Sequence, residues 1–220
     1  MKNLNFISKL HKSTKRKYLD RMVNKKVLCM KEAKKYGFNY WDGNRKFGYG
    51  GYKYIEGRWA PVAKNLIKFY KLRNNSKVLD VGCGKGFLLY EIKKILPNIK
   101  IYGFDISKHA IKNSKKEIRK DIFKHDVRKK FPFKTKKFDL VISLGCLHNL
   151  KVFNLEKALK EISRVSKRQY VMVESFRNDQ EMFNLQCWAL TAETFFHVSE
   201  WEWIFKKFNY RGEYEFIFFE

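Results

Sequence analysis

The chain has 220 residues, 45% of them hydrophobic, and its 48 Lys and Arg against 22 Asp and Glu leave a net charge of +26. This suits one large domain, or one domain with an appendage, and excludes a membrane-spanning helix, since no run approaches the roughly 18 to 20 apolar residues of a span. Four scattered cysteines without a Cys-x-x-Cys pair and five histidines without a ligand-like cluster exclude a disulfide framework and leave no metal site to expect.

Taken in chain order, residues 1–12 are basic, lack the apolar core of a signal peptide and are expected to form a loose arm. A cytoplasmic location is the matching expectation. Residues 13–36 have helical spacing, with Ser13 or Thr14 as a cap and Tyr18, Met22, Val27, Met30 and Ala33 as an imperfect apolar face. Residues 37–59 carry six glycines and eight aromatics, too aromatic for disorder and too glycine-rich for a helix. Pro61 opens a helix that runs to about Lys71, with Val62, Leu66 and Phe69 inward. From residue 77 onward strand-like and helix-like runs alternate: strand 77–81, helix 86–95, strand 100–104, helix 108–119, a short strand near 122–125, strand 138–143, helix 154–165, strand 169–174, a helix over 199–208 capped by Ser199, and a last strand within 213–219. Such alternation predicts an α/β domain, doubly wound, with a mainly parallel sheet and helices on both faces. Two units are expected, an N-terminal helical arm with an aromatic, glycine-rich lid over 1–71 and a ligand-binding domain over 72–220.

The most informative stretch is 77–87. Val78 and Leu79 lead into Asp80, and Gly82, Gly84 and Gly86 follow at alternate positions before an apolar helix begins. This is a buried strand, a tight turn and a helix start, with glycines where a backbone must approach a ligand closely. A second strand ends in Asp105, nineteen residues after Gly86, where a carboxylate can take both hydroxyls of a ribose. The third glycine follows the second by two residues, whereas a dinucleotide fingerprint needs three.

The Asp80-x-Gly82-x-Gly84-x-Gly86 run resembles the glycine-rich motif of class I S-adenosylmethionine (SAM)-dependent methyltransferases. Asp105-Ile106-Ser107 is similar to that family's ribose- and adenine-binding strand end, His125-Asp126-Val127 to the segment that sets an acid against the adenine amino group, and 138–143 to its fourth strand. Leu147-His148-Asn149-Leu150 resembles the segment that follows. The resemblance extends over residues 76–220 and implies a SAM site built from Asp80, Gly82, Cys83, Gly84, Gly86, Asp105, Ile106, Asp126, Val127, Ser143 and Leu144. The family closes its sheet with a parallel sixth and an antiparallel seventh strand, for which residues 210–220 leave too little chain. It also implies that residues 178–196, with Trp188, either wall an acceptor pocket or cover the core.

An activated methyl needs no protein nucleophile, only alignment and, for a hydroxyl acceptor, a base. His148, just beyond the fourth strand, is the candidate, with a structural role as its alternative. Glu174, at the end of the fifth strand, is a base, an acceptor-binding group or a structural carboxylate, and His197 is a weaker base candidate. His11, His109 and His125 read as surface or structural residues. Tyr49 and Tyr52, flanking Gly50-Gly51, are expected to face ligand from a closing lid, and Arg58 to pair with an acidic group on the acceptor. A small-molecule acceptor, such as a sugar or other hydroxylated metabolite, is the leading expectation. An RNA or protein methyltransferase is the alternative, resting on the charge. Lysine clusters at 115–116, 129–130 and 134–137 are dispersed, however, so the charge leaves nucleic acid open as a partner without favouring it. No Asn-Pro-Pro-Tyr-like tetrad follows the fourth strand. Neither the acceptor nor the oligomeric state is legible.

Overall fold

The computed structural model describes residues 1–50 and 52–220. Six strands, β1 (Lys77–Val81), β2 (Lys100–Asp105), β3 (Ile122–Lys124), β4 (Leu140–Leu144), β5 (Gln169–Glu174) and β6 (Glu213–Ile217), form one sheet in the order β3-β2-β1-β4-β5-β6. Every neighbouring pair is parallel, as the helical crossovers between them require. Ten helices accompany it among the described residues: α1 (Ser8–Lys12), α2 (Tyr18–Val23), α3 (Lys26–Ala33), α4 (Phe38–Trp41), α5 (Ala60–Tyr70), α6 (Phe87–Ile95), α7 (Lys108–Lys112), α8 (Val152–Val165), α9 (Asp179–Trp188) and α10 (Val198–Lys207). No helix among them is long and apolar enough to cross a membrane.

Alternate residues of each strand feed opposite cores. Val78, Leu140, Ile142 and Tyr170 pack with Val62 and Leu66 of α5 and with Leu89 and Ile92 of α6. Leu79, Val81, Val141 and Val173 pack with Leu155 and Leu159 of α8 and with Trp201 and Phe205 of α10. Burial on both faces explains why these strands read as continuous apolar runs. The strand ends at Val81, Asp105, Leu144 and Glu174 then share one edge of the sheet, the edge where an open α/β sheet binds ligands.

Several expectations are corrected. The 13–36 segment is not one helix: α2 and α3 are separated by Lys25 in the left-handed region, at φ 48°. Met22 and Val27 of the predicted apolar face are exposed, and only Cys29 and Ala33 of α3 are buried, against Leu190. Phe69 turns outward and Tyr70 inward on α5. The helix expected over 108–119 ends at Lys112, where the Asn113 and Ser114 side chains bond back to the carbonyls of His109 and Ile111 and compete with the helical ladder. The cap of α10 is His197 rather than Ser199, in a reciprocal arrangement with Glu200.

Nor is the N-terminal arm loose. Leu4 N–H donates to Tyr214 O and Tyr214 N–H to Lys2 O, so residues 2–4 cover the outer edge of β6, an edge that would otherwise invite pairing with another chain. No antiparallel strand follows β6 among the described residues. Glu215 of β6 is fully buried and accepts from the backbone N–H groups of Phe6, Ile7 and Ser8 at 2.7, 2.9 and 2.8 Å and from the Ser8 hydroxyl. Tyr170 donates its hydroxyl to the same carboxylate. Glu215→Gln should cost about 2 to 4 kcal/mol, since charge-assisted bonds are lost and buried donors go short of an acceptor. Denaturant unfolding of the two proteins measures it.

Candidate functional site

The turn after β1 sets the floor of the site. Gly82 has φ +77° and a Cβ there would lie 2.5 Å from Cys146 Sγ, while a Cβ on Gly84 (φ +55°) would lie 2.8 Å from the Trp41 ring. Only glycine fits both positions. Asp105, at the end of β2, braces the turn: its Oδ2 accepts from Gly84 N–H at 2.9 Å and its Oδ1 from Ser107 N–H at 2.8 Å. Asp80 lies beside it, also buried. Burial, and then the neighbouring Asp105 charge, push the Asp80 carboxyl up to about 8. Burial raises Asp105 as well, opposed by the N–H donors around it.

Two adjoining cavities open over this turn, of about 560 and 510 Å³, within the range of small-molecule sites. The first is lined by Gly82, Asp105, Ile106, Asp126, Val127, Leu144, His148 and Glu174. The second is lined by Asp80, Gly82, Cys83, Gly84, Leu144 and Arg58. Tyr49, Tyr52, Trp41 and Trp188 line both. Asp126 is held by Arg128 through a 2.6 Å ion pair. Two expected cofactor residues stand apart. Ser143 is fully buried with its hydroxyl donating to Val81 O at 2.9 Å, so it ties β4 to β1. Gly86 closes the turn as the residue before α6, at φ +71°.

The pair at the end of β5 is the chemical centre of the first cavity. His148 is 4% exposed. Its Nδ1 accepts from Glu174 N–H at 3.2 Å, and its Nε2 lies 3.4 Å from Glu174 Oε2. The accepting Nδ1 assigns the proton to Nε2, which lies beside the carboxylate without hydrogen-bonding to it, and Glu174 Oε2 has no hydrogen-bond partner among the described residues. Burial lowers the His148 pKa, against the pull of Glu174, so the ring is neutral at pH 7. With Nδ1 accepting from the Glu174 backbone, the ring is fixed beside the Glu174 carboxylate, an arrangement that suits positioning Glu174.

The aromatic segment is docked on this site. Trp41 Nε1 donates to Tyr36 O, and Ser107 Oγ donates to the same carbonyl at 2.6 Å. Asp42 joins Lys85 of the glycine turn at 2.5 Å and His109 of α7 at 2.6 Å. Burial alone would raise Asp42, but the bonds from Lys85 and His109 outweigh it and hold the carboxyl below its ordinary range. Tyr49 offers the cavity its ring only, because its hydroxyl accepts from Leu190 and Thr191 N–H at 2.7 and 3.1 Å. Tyr52 packs on Trp41, ring centres 4.6 Å apart. Gly51, at the centre of the expected lid, lies outside the described residues. In 178–196, Trp188 and Thr191 line the first cavity while Leu185 and Leu190 are buried, so the segment is both wall and core cover.

Other corrections concern single residues. His11 takes the structural role of the two expected: it bonds Phe218 O and Arg16 and lines both cavities, and burial, with Arg16 beside it, lowers its pKa to about 4. His109 is the Asp42 partner, and His197 is a helix cap. Asp42, Lys85 and Arg16 carry no sequence pattern that marks them as site residues.

A parallel sheet with a glycine turn after its first strand and an acid after its second defines the nucleoside-cofactor-binding class of α/β domain. A family profile described as a methyltransferase domain matches residues 72–211, and the chain belongs to that family, with the class I, SAM-dependent pattern. Among curated relatives, it is similar to a mitochondrial arginine hydroxylase of Rattus norvegicus, 35% identical over 53% of this chain and 33% of that protein. It is also similar to a ubiquinone biosynthesis O-methyltransferase of Pelagibacter ubique, 28% identical over 68% of this chain and 63% of that protein. The chain thus spans about a third of the length of the first curated relatives it matches. The fold is shared with the YcgJ protein of Bacillus subtilis, at TM-score 0.53 and 18% identity over 66% of each chain.

The residues present fit SAM. Asp80 makes no side-chain hydrogen bond among the described residues and stands ready for a cation. Asp105 keeps lone pairs for ribose hydroxyls, and Ile106, 39% exposed, with Val127 offers an apolar slot for adenine.

Proposed function

We propose that this chain transfers a methyl group from SAM to a hydroxyl of a small polar acceptor, with residues 1–71 serving as arm, lid and wall over the 72–220 domain. The observation that carries this reading is the Glu174 carboxylate, backed by His148 and facing the cavity that Asp105, Ile106 and Leu144 also line. SAM supplies an electrophilic methyl when bound. Asp80, Gly82, Gly84 and Asp105 hold the cofactor, with Ile106, Asp126, Val127 and Leu144 around its adenosine and Cys83 packing under the turn. Trp41, Tyr49 and Tyr52 exclude water. Glu174 takes the acceptor's proton, and His148 positions it by accepting from the Glu174 backbone N–H and packing beside its carboxylate. The cavity size favours a small acceptor over an RNA or protein surface, and the Pelagibacter relative named as an O-methyltransferase supports oxygen as the acceptor atom.

Calorimetry with SAM tests the cofactor half. Wild-type protein should bind SAM, and Asp105→Ala should weaken it at least about tenfold, since each lost charge-assisted bond is worth about 1.5 to 3 kcal/mol. Unchanged affinity in Asp105→Ala, or tight NAD binding by the wild type, would refute the assignment. Methyl-labelled SAM turned over with a metabolite extract tests the transfer, and labelled product separates it from the hydroxylation that names the rat relative.

A further inference from the structure

Three arginines line the second cavity without an acidic partner. Arg16, Arg45 and Arg58 all reach it, and none makes an ion pair among the described residues. Arg128, which lines the first cavity, pairs with Asp126, and Lys85, which lines the second, pairs with Asp42. The lysines that line the first cavity are paired too, Lys34 with Glu193 and Lys35 with Glu32. Among the lysines and arginines that line the two cavities, Arg16, Arg45 and Arg58 are those without an ion pair among the described residues.

Their surroundings separate their roles. Arg58 lies with Asp80, Gly84 and Lys85, at the glycine turn. Arg16 and Arg45 approach the Trp188 ring, with guanidinium carbons 5.5 and 5.7 Å from its centroid. Arg21 sits closer on that ring, at 4.0 Å, but gives its N–H groups to the carbonyls of Gly48, Arg45 and Trp188 and serves as a staple between lid and α9. Arg16 is only partly satisfied. It donates to Thr14 O and His11, and its buried Nε–H has no partner. Arg45 donates no side-chain hydrogen bond among the described residues. Two like charges beside one indole repel each other, and Arg45 is among the groups that lower the Arg16 pKa, after burial, while Glu174 raises it. Arg16 lines both cavities, Arg45 the second and Glu174 the first, so Arg16 stands between the other two charges. SAM carries one carboxylate, too few for three arginines.

We infer that the methyl acceptor is a small acid whose carboxylate or phosphate is held between Arg16 and Arg45 beside Trp188, with its hydroxyl at Glu174. Guanidinium groups in a forked arrangement recognise such oxyanions. The charges also orient the molecule, because Glu174 repels the end that the arginines attract. This rests on the proposed methyl transfer and narrows its substrate class.

The test has two arms. In the first, the labelled products of methyl-labelled SAM and a metabolite extract are passed over an anion exchanger at pH 7. Retained product is expected, and phosphatase treatment that releases it assigns a phosphate where resistance assigns a carboxylate. Labelled product in the neutral flow-through overturns the inference while leaving methyl transfer intact. The second arm needs no turnover. Protein saturated with S-adenosylhomocysteine is titrated with benzoate and with inorganic phosphate. Wild type should bind at least one of them, and Arg45→Gln, which loses no side-chain hydrogen bond among the described residues, should weaken it at least about tenfold, as should Arg16→Gln. S-adenosylhomocysteine affinity should stay the same in both variants. Binding of neither anion, or equal binding in Arg45→Gln, overturns the inference. Failure to bind S-adenosylhomocysteine would instead strike the cofactor reading beneath it.

Discussion

Glu174→Gln should lower methyl-transfer turnover by about 10²- to 10⁴-fold, the usual weight of a general base, with SAM affinity nearly unchanged. The substitution keeps the shape of the side chain and its reach to His148, and removes the charge that accepts a proton. His148→Ala should do less, about 10- to 100-fold, because it removes the group that orients the carboxylate while leaving the carboxylate in place. The two roles separate in the pH profile. An ordinary histidine base would give an inflection near pH 6.5. Here burial lowers the His148 pKa, so the rate should stay level through neutral pH and fall only at lower pH. There the ring gains a second proton, and its Nδ1 can no longer accept from Glu174 N–H. If His148→Ala lost as much turnover as Glu174→Gln and the wild type showed an inflection near 6.5, the histidine would be the base and Glu174 its support.

The sheet was legible because its signals are local. β1, β2, β4 and β5 are apolar runs bounded by glycine or an acid, buried on both faces, and the crossovers dictate their parallel order. The glycine turn was legible for the same reason, since positive φ at Gly82 and Gly84 is a backbone demand that only sequence spacing needs to reveal. What escaped depends on contacts distant in sequence. The arm looked loose because its anchor, Glu215, lies 208 residues from Ile7. Ser143 looked like a ligand residue because position on a strand end does not say which way a hydroxyl points. The spacing of His148 suits a base or a structural residue alike, because its tautomer is set by Glu174 N–H, 26 residues away. The Asp42 latch joins two loops through side chains that carry no periodic pattern, and the unpaired arginines become visible only once the carboxylates near them have been counted in space.

The affinity of the protein for SAM should rise with pH between about 6 and 8 by up to about tenfold per unit, and Asp80→Asn should abolish that slope. In the unliganded protein burial, reinforced by the Asp105 charge, raises the Asp80 carboxyl to about 8, so near neutral pH it is mostly protonated. SAM brings a sulfonium and an ammonium, and positive charge nearby favours the carboxylate. Binding must then expel a proton, and linkage makes binding tighter wherever the free protein holds that proton and the complex does not. Titrations in two buffers of different ionisation enthalpy measure the release directly. The same shift acts on stability with a definite sign. A carboxyl whose folded pKa is raised stabilises the fold fully below its unfolded value near 3.9 and loses that contribution as pH climbs through about 8. Unliganded wild type should therefore lose stability from pH 5 to pH 8 relative to Asp80→Asn, and saturating SAM should remove the difference in slope. A wild-type affinity independent of pH, with no proton released, would mean that Asp80 is already ionised in the empty site and that another group supplies the charge balance for the cofactor.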